Sequence, residues 1–168
     1  MRNSCVDPGS IVRVQTWDAN GVAPFAIEQA LGVAWPRETG AVAIGRADVI
    51  CVGPTEWLVI TSGDLDRATL LQWLDAGFEG SAFRATDLSQ ALACVEITGP
   101  ETRELLAKAC SLDLHPSLFP PGRSVRTRFA GMPVIVRCLG PSTFLCIVSL
   151  SYREYLNSWL LDAAVECE

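Results

Sequence analysis

Apolar and polar residues alternate along IVRVQTW (residues 11–17), a period of two that predicts a half-buried strand. VAPFAIEQALG follows with helical spacing; Pro24 suits the first turn and Gly32 the end. Two short β-prone runs come next, GAVAIG (40–45) and DVICVG (48–53), then the strand EWLVITS (56–62). DLDRATLLQWLDAGF (64–78) has an apolar stripe at helical spacing, with Asp64 or Asp66 as the cap and Gly77 as the stop. After SAFRATDLSQA, the pattern repeats as a strand over 91–99 and a helix over 100–110 opened by Pro100 and Glu101. A loop holding His115 leads to strands near 123–130, 133–138 and 143–149. The final helix, SYREYLNSWLLDAA (151–164), takes Ser151 as its N-cap.

The second half echoes the first. Residues 53–76 lie over 140–163 without a gap. Gly-Pro, Leu58 with Leu145, Ile60 with Ile147, Ser62 with Ser149 and the closing Leu-Asp-Ala coincide. Cys51 falls on Cys138 under the same shift, and Trp73 and Trp159 are one position apart. The expectation is an α+β fold of duplicated antiparallel sheet-and-helix units. They make one domain over 1–168 with pseudo-repeated halves at about 10–80 and 81–168.

Length and composition narrow the class. A chain of 168 residues, 49% hydrophobic, buries roughly 70% of its unfolded surface. No apolar run approaches the roughly 18 residues that span a bilayer, and the polar MRNSCVDPGS start has no apolar h-region. A cytoplasmic chain without membrane contact is expected. A net charge of −6 argues against nucleic acid, whose phosphates need a basic stripe. Seven scattered cysteines without a CxxC, and one histidine, give neither a zinc motif nor a disulfide framework. Glycine-rich phosphate loops and GxSxG are absent too.

Three sets of residues remain as candidates. Cys110 and His115 stand close in sequence, but Cys110 ends a helix, where the dipole disfavours a thiolate. A thiol enzyme built on this pair is therefore the weaker alternative to a packed connection. Asp87 lies in a turn, where it either bonds nearby backbone or orients a partner segment. Arg123, Arg126, Arg128 and Arg137 cluster in an otherwise acidic chain. They serve either as edge-strand charges that discourage aggregation or as a surface for an acidic partner. Any of the five tryptophans left exposed favours the second. No catalytic, cofactor-binding or metal-binding residue is assigned.

VGPTEWLVI, DLSQALACVEITGPETRELLAKACSLDLHPSLFPPG and TFLCIVSLSYREYLNSWLLDA resemble the gamma subunit of heterotetrameric sarcosine oxidase from about Gly40 to Ala164. DLSQALACVEITGPETRELL is more distantly similar to the folate-binding domain of glycine-cleavage aminomethyltransferases. Those enzymes carry a key carboxylate on a hairpin just before a strand. The comparable TRFAGMPVIVR has neither Asp nor Glu. The resemblance implies a non-catalytic accessory subunit that keeps the fold without the active site. The family's enzyme oxidatively demethylates sarcosine to glycine, giving hydrogen peroxide and formaldehyde or methylenetetrahydrofolate. FAD, FMN, NAD, zinc and tetrahydrofolate are expected in partner subunits, and the implied partners are the alpha, beta and delta subunits. Docking is expected through Arg123, Arg126, Arg128 and the loop around His115 and Phe119. The alternative is a free-standing folate binder or folate-dependent aminomethyltransferase-like enzyme.

Overall fold

The computed structural model of the chain describes residues 2–17, 25–61 and 63–165. Pro24, expected in a helix's first turn, and Cys167 lie outside them. The chain forms two compact units, Pro8–Ser89, and Met1–Asp7 together with Gln90–Glu168. Strand β1 (Arg2–Val6) opens the chain and belongs to the second of these.

The unit Pro8–Ser89 runs β2 (Ile11–Thr16), α1 (Phe25–Leu31), β3 (Val42–Ala43), β4 (Ala47–Gly53), β5 (Glu56–Thr61), α2 (Arg67–Gly77) and β6 (Phe83–Asp87). Its antiparallel sheet has the order β3-β4-β5-β2-β6. Val12 and Val14 of β2 point at Ile27, Leu31, Leu70 and Leu74 of the helices, all within 1% exposure. An aromatic group thickens this core: Trp35 lies 5.6 Å from Trp57, and Phe78 stacks on Phe83 at 4.9 Å. The buried Trp57 indole donates to the Pro36 carbonyl (2.7 Å), so it carries no unmet N–H into the core.

Asp66, rather than Asp64, caps α2, accepting from Thr69 N at 3.0 Å and Thr69 Oγ1 at 2.6 Å. Gly77 is the last helical residue, and its need for glycine is tertiary. A Cβ there would stand 2.2 Å from Ile27 Cγ1. The expected run 40–45 shortens to the two residues of β3. Gly40 is left-handed (φ 89°), and Gly45 packs so closely that a Cβ would lie 2.4 Å from Val33 Cγ1.

The other unit adds β7 (Leu92–Thr98), α3 (Thr102–Ala109), β8 (Ser124–Phe129), β9 (Met132–Gly140), β10 (Thr143–Ser149) and α4 (Arg153–Val165). Its antiparallel sheet has the order β1-β7-β10-β9-β8. Val95, Ile97, Val136 and Phe144 meet Leu105, Leu106, Leu156 and Leu160 in its core, and the Phe129 and Trp159 rings meet edge to face at 4.7 Å. Ser151 is not a helix cap. It lies inside a 3-10 turn, Leu150–Tyr152, that leads into α4.

Each sheet takes its fifth strand from a segment that runs on, in sequence, into the other sheet. β1 precedes β2 yet pairs with β7, while β6 precedes β7 yet pairs with β2. β6 therefore lies in the first unit, although the second half was expected to begin at 81. Within the units the repeated segments share fine detail. Cys51 faces Trp57 and Gly53 faces Glu56, just as Cys138 faces Phe144 and Gly140 faces Thr143, with one residue bulged each time. The Cys51 thiol donates to Gly53 O (3.3 Å) and the Cys138 thiol to Gly140 O (3.2 Å).

Candidate functional site

The only histidine lies in the connection between α3 and β8, and that connection is closed by its own hydrogen bonds. His115 N donates to Asp113 Oδ1 (2.8 Å), and the His115 carbonyl accepts from Leu118 N and Phe119 N (both 2.9 Å). The His115 Nδ1 sits 2.7 Å from Ser117 Oγ, with the ring exposed. Cys110 is buried at the end of α3, and its thiol donates to the Leu106 carbonyl (3.2 Å). The imidazole and the thiol thus have separate partners, which is the arrangement of a structural connection.

Arg103, on the first turn of α3, is the residue that sequence reasoning passed over. Its Nε donates to the Pro141 carbonyl (2.9 Å), and its Nη1 to the carbonyls of Leu114 and Phe119. Nη2 reaches Cys138 Sγ at 3.6 Å, and the guanidinium carbon stands 4.9 Å over the Phe144 ring. One side chain thereby joins α3, the His115 loop, the Gly-Pro turn and the core. The sequence held a signal for it. A cation in a helix's first turn opposes the macrodipole, so it is retained where its charge is used elsewhere.

Between α3 and the loop lies an open cleft of about 440 Å³. Ala107, Leu112, Leu114 and Pro116 give it apolar walls, and Glu104 and Asp113 sit on its rim.

The expected docking residues separate. Arg126 and Arg128 are exposed on β8, opposite Ile135 and Pro133 of β9 at one edge of the sheet. Arg123 is half-buried, and Arg137 is buried in β9. Phe119 is 4% exposed and stacks on Phe144 (6.4 Å), so its ring belongs to the core. Its place in an apparently polar loop hid this, because burial there depends on α3 and β10 closing over it. Among the tryptophans, Trp17 is 66% exposed.

Asp87 takes the local role. Its Oδ1 accepts from Ser89 Oγ (2.6 Å) and Ser89 N (2.9 Å), and its Oδ2 pairs with Arg67 (2.8 Å). These bonds, Ser89's hydroxyl first, hold its carboxyl below the usual carboxylate range. Ser89 Oγ in turn accepts from Ile11 N (3.0 Å), tying the ends of β6 and β2.

The β8–β9 hairpin turns through Ala130 (φ 47°) and Gly131 (φ 85°) and contains no carboxylate. Among the described residues no three metal-ligating side chains come together, and no helix is long and apolar enough to cross a membrane.

The sarcosine oxidase gamma subunit family matches residues 16–166. The gamma subunit of sarcosine oxidase from Arthrobacter sp. is 32% identical over 144 residues, covering 84% of this chain and 69% of that one. Its counterpart from Corynebacterium sp. (strain P-1) is 30% identical over 143 residues, covering 84% and 69%. In structure, the chain is similar to heterotetrameric sarcosine oxidase from Corynebacterium sp. U-96, solved with pyrrole 2-carboxylate. The TM-score is 0.85 with 26% identity, over 98% of this chain and 83% of that one. Aminomethyltransferase T of the glycine cleavage system from Bartonella henselae shares the fold, at TM-score 0.67 and 12% identity, over 95% of this chain and 45% of that one. With the family matched over nearly its whole length, the chain belongs to the sarcosine oxidase gamma subunit family.

Proposed function

We propose that the chain is an accessory gamma subunit of a cytoplasmic heterotetrameric sarcosine oxidase and performs no chemistry itself. The observation that carries this is the family match over 16–166, joined to a hairpin without a carboxylate. The complex demethylates sarcosine oxidatively to glycine, with hydrogen peroxide and formaldehyde or methylenetetrahydrofolate as products. FAD, FMN, NAD, zinc and tetrahydrofolate reside in the alpha, beta and delta partners. The chain is one domain of two repeated halves, a view supported by the Cys-x-Gly-Pro turns with matching thiol bonds.

Docking uses the exposed Arg126 and Arg128, with Arg123 and the His115 loop beside them in sequence; Phe119 has no part in it. Co-expression with the three partners tests both parts. The complex oxidises sarcosine, the isolated chain does not, and the triple Arg→Glu variant at 123, 126 and 128 fails to co-purify. Full assembly of that variant removes the patch from the interface. Sarcosine oxidation or tetrahydrofolate binding by the isolated chain removes the accessory reading.

A further inference from the structure

The cleft between α3 and the loop 112–116 has a composition that selects its occupant. Its walls are aliphatic, from Ala107, Leu112, Leu114 and Pro116, and its rim carries two carboxylates, Glu104 and Asp113. Arg103, which also lines the cleft, is turned into the fold, where its donors are spent on the Pro141, Leu114 and Phe119 carbonyls. Glu104 is exposed on α3. Asp113 is exposed, and its Oδ1 accepts from His115 N at 2.8 Å. Leu118, at the end of the same loop, is 62% exposed. The cleft is also formed in advance. Arg103 and the His115 turn hold its two sides, so an occupant meets little ordering cost.

We infer that this cleft is a docking site for a partner subunit's segment that inserts an apolar side chain and sets a lysine or arginine against Glu104 and Asp113. The inference rests on the accessory-subunit reading and assigns the chemistry of one of its contacts. Aliphatic walls favour burial of a hydrocarbon side chain. Carboxylates at the rim favour a cation and reject an acidic segment, which gives specificity as much as affinity. This polarity is opposite to that of Arg126 and Arg128 on β8, so the two surfaces call for different partner segments.

The test measures association of the purified chain with the co-expressed alpha, beta and delta subunits, by titration at low and high salt. Three variants are compared: E104R/D113R, E104Q/D113N, and A107W, which fills the cleft without changing charge. Matching circular dichroism spectra and melting temperatures establish that each is folded. The expectation is about a tenfold or greater loss of affinity for E104R/D113R and for A107W. E104Q/D113N binds more weakly at low salt and loses much of the salt dependence. If wild type assembles and all three variants match it within about twofold, the docking site is overturned while the accessory reading stands. If only A107W loses affinity, the cation in the partner is overturned. If wild type itself fails to associate, the accessory reading falls, and the inference with it. Self-association of the wild-type chain that A107W abolishes identifies a second copy as the occupant, which also overturns the proposal.

Discussion

At the scale of single residues, two side chains hold the loops in place through bonds that sequence spacing does not display. Arg103 serves three backbone carbonyls and covers Phe144. Replacing it with alanine leaves those acceptors without their charged donor, at an expected cost of about 2–4 kcal/mol. Lysine at the same place recovers only part, because one ammonium cannot span the fork of acceptors. Urea unfolding midpoints check the order wild type, then Arg103→Lys, then Arg103→Ala. Asp87 gives a pH signature. Its native carboxyl is held below the ordinary value of about 3.9, so its contribution is complete above that value. It disappears as pH falls through the lower native value. Asp87→Asn is therefore less stable than wild type at neutral pH, and the difference closes in acid. Thermal melts at a series of pH values show whether the curves converge.

Among the elements, the helix pair α1 and α2 shows how a local preference yields to packing. Alanine is the better helix former by about 1 kcal/mol, so Gly77→Ala would stabilise an isolated α2. In the folded unit the added Cβ would stand 2.2 Å from Ile27 Cγ1, and Ile27 is buried in the core. The expectation is a net loss of about 1–3 kcal/mol. In an Ile27→Ala background, where those γ and δ carbons are gone, Gly77→Ala becomes neutral or favourable. A double-mutant cycle of unfolding free energies decides it, and equal losses in both backgrounds would refute the contact. Strand ends were easier to foresee than strand partners. The Gly-Pro turns and Asp66 were legible because turn and cap chemistry is local. β1 was not foreseen, since its short, largely exposed sequence has no apolar face of its own and becomes a strand only on pairing with β7.

For the whole molecule, scattered cysteines become probes of the folded state. Burial pushes the Cys94 and Cys146 thiols up to about 12, whereas Cys5 is exposed on β1. Among the described residues, Cys5 therefore reacts with iodoacetamide in the native chain, and Cys94 and Cys146 react only as the protein opens. Peptide mass spectrometry across a urea series follows this. Early alkylation of Cys146 would contradict the packing of β10. The same burial explains why so many cysteines carry no motif: they act as small hydrophobic side chains in the sheets.

The sequence by itself determined the fold class, most strand and helix positions, the repeated Gly-Pro segments and the family. All of these are written in local periodicity and turn residues, or in a run of matching residues. Tertiary structure alone decided which sheet received β1 and β6, that Phe119 is core while Arg126 is surface, and that Arg103 is a clamp. It also formed the cleft beside α3. Each of these depends on groups far apart in the chain, and burial, unlike periodicity, is a property of what packs around a residue.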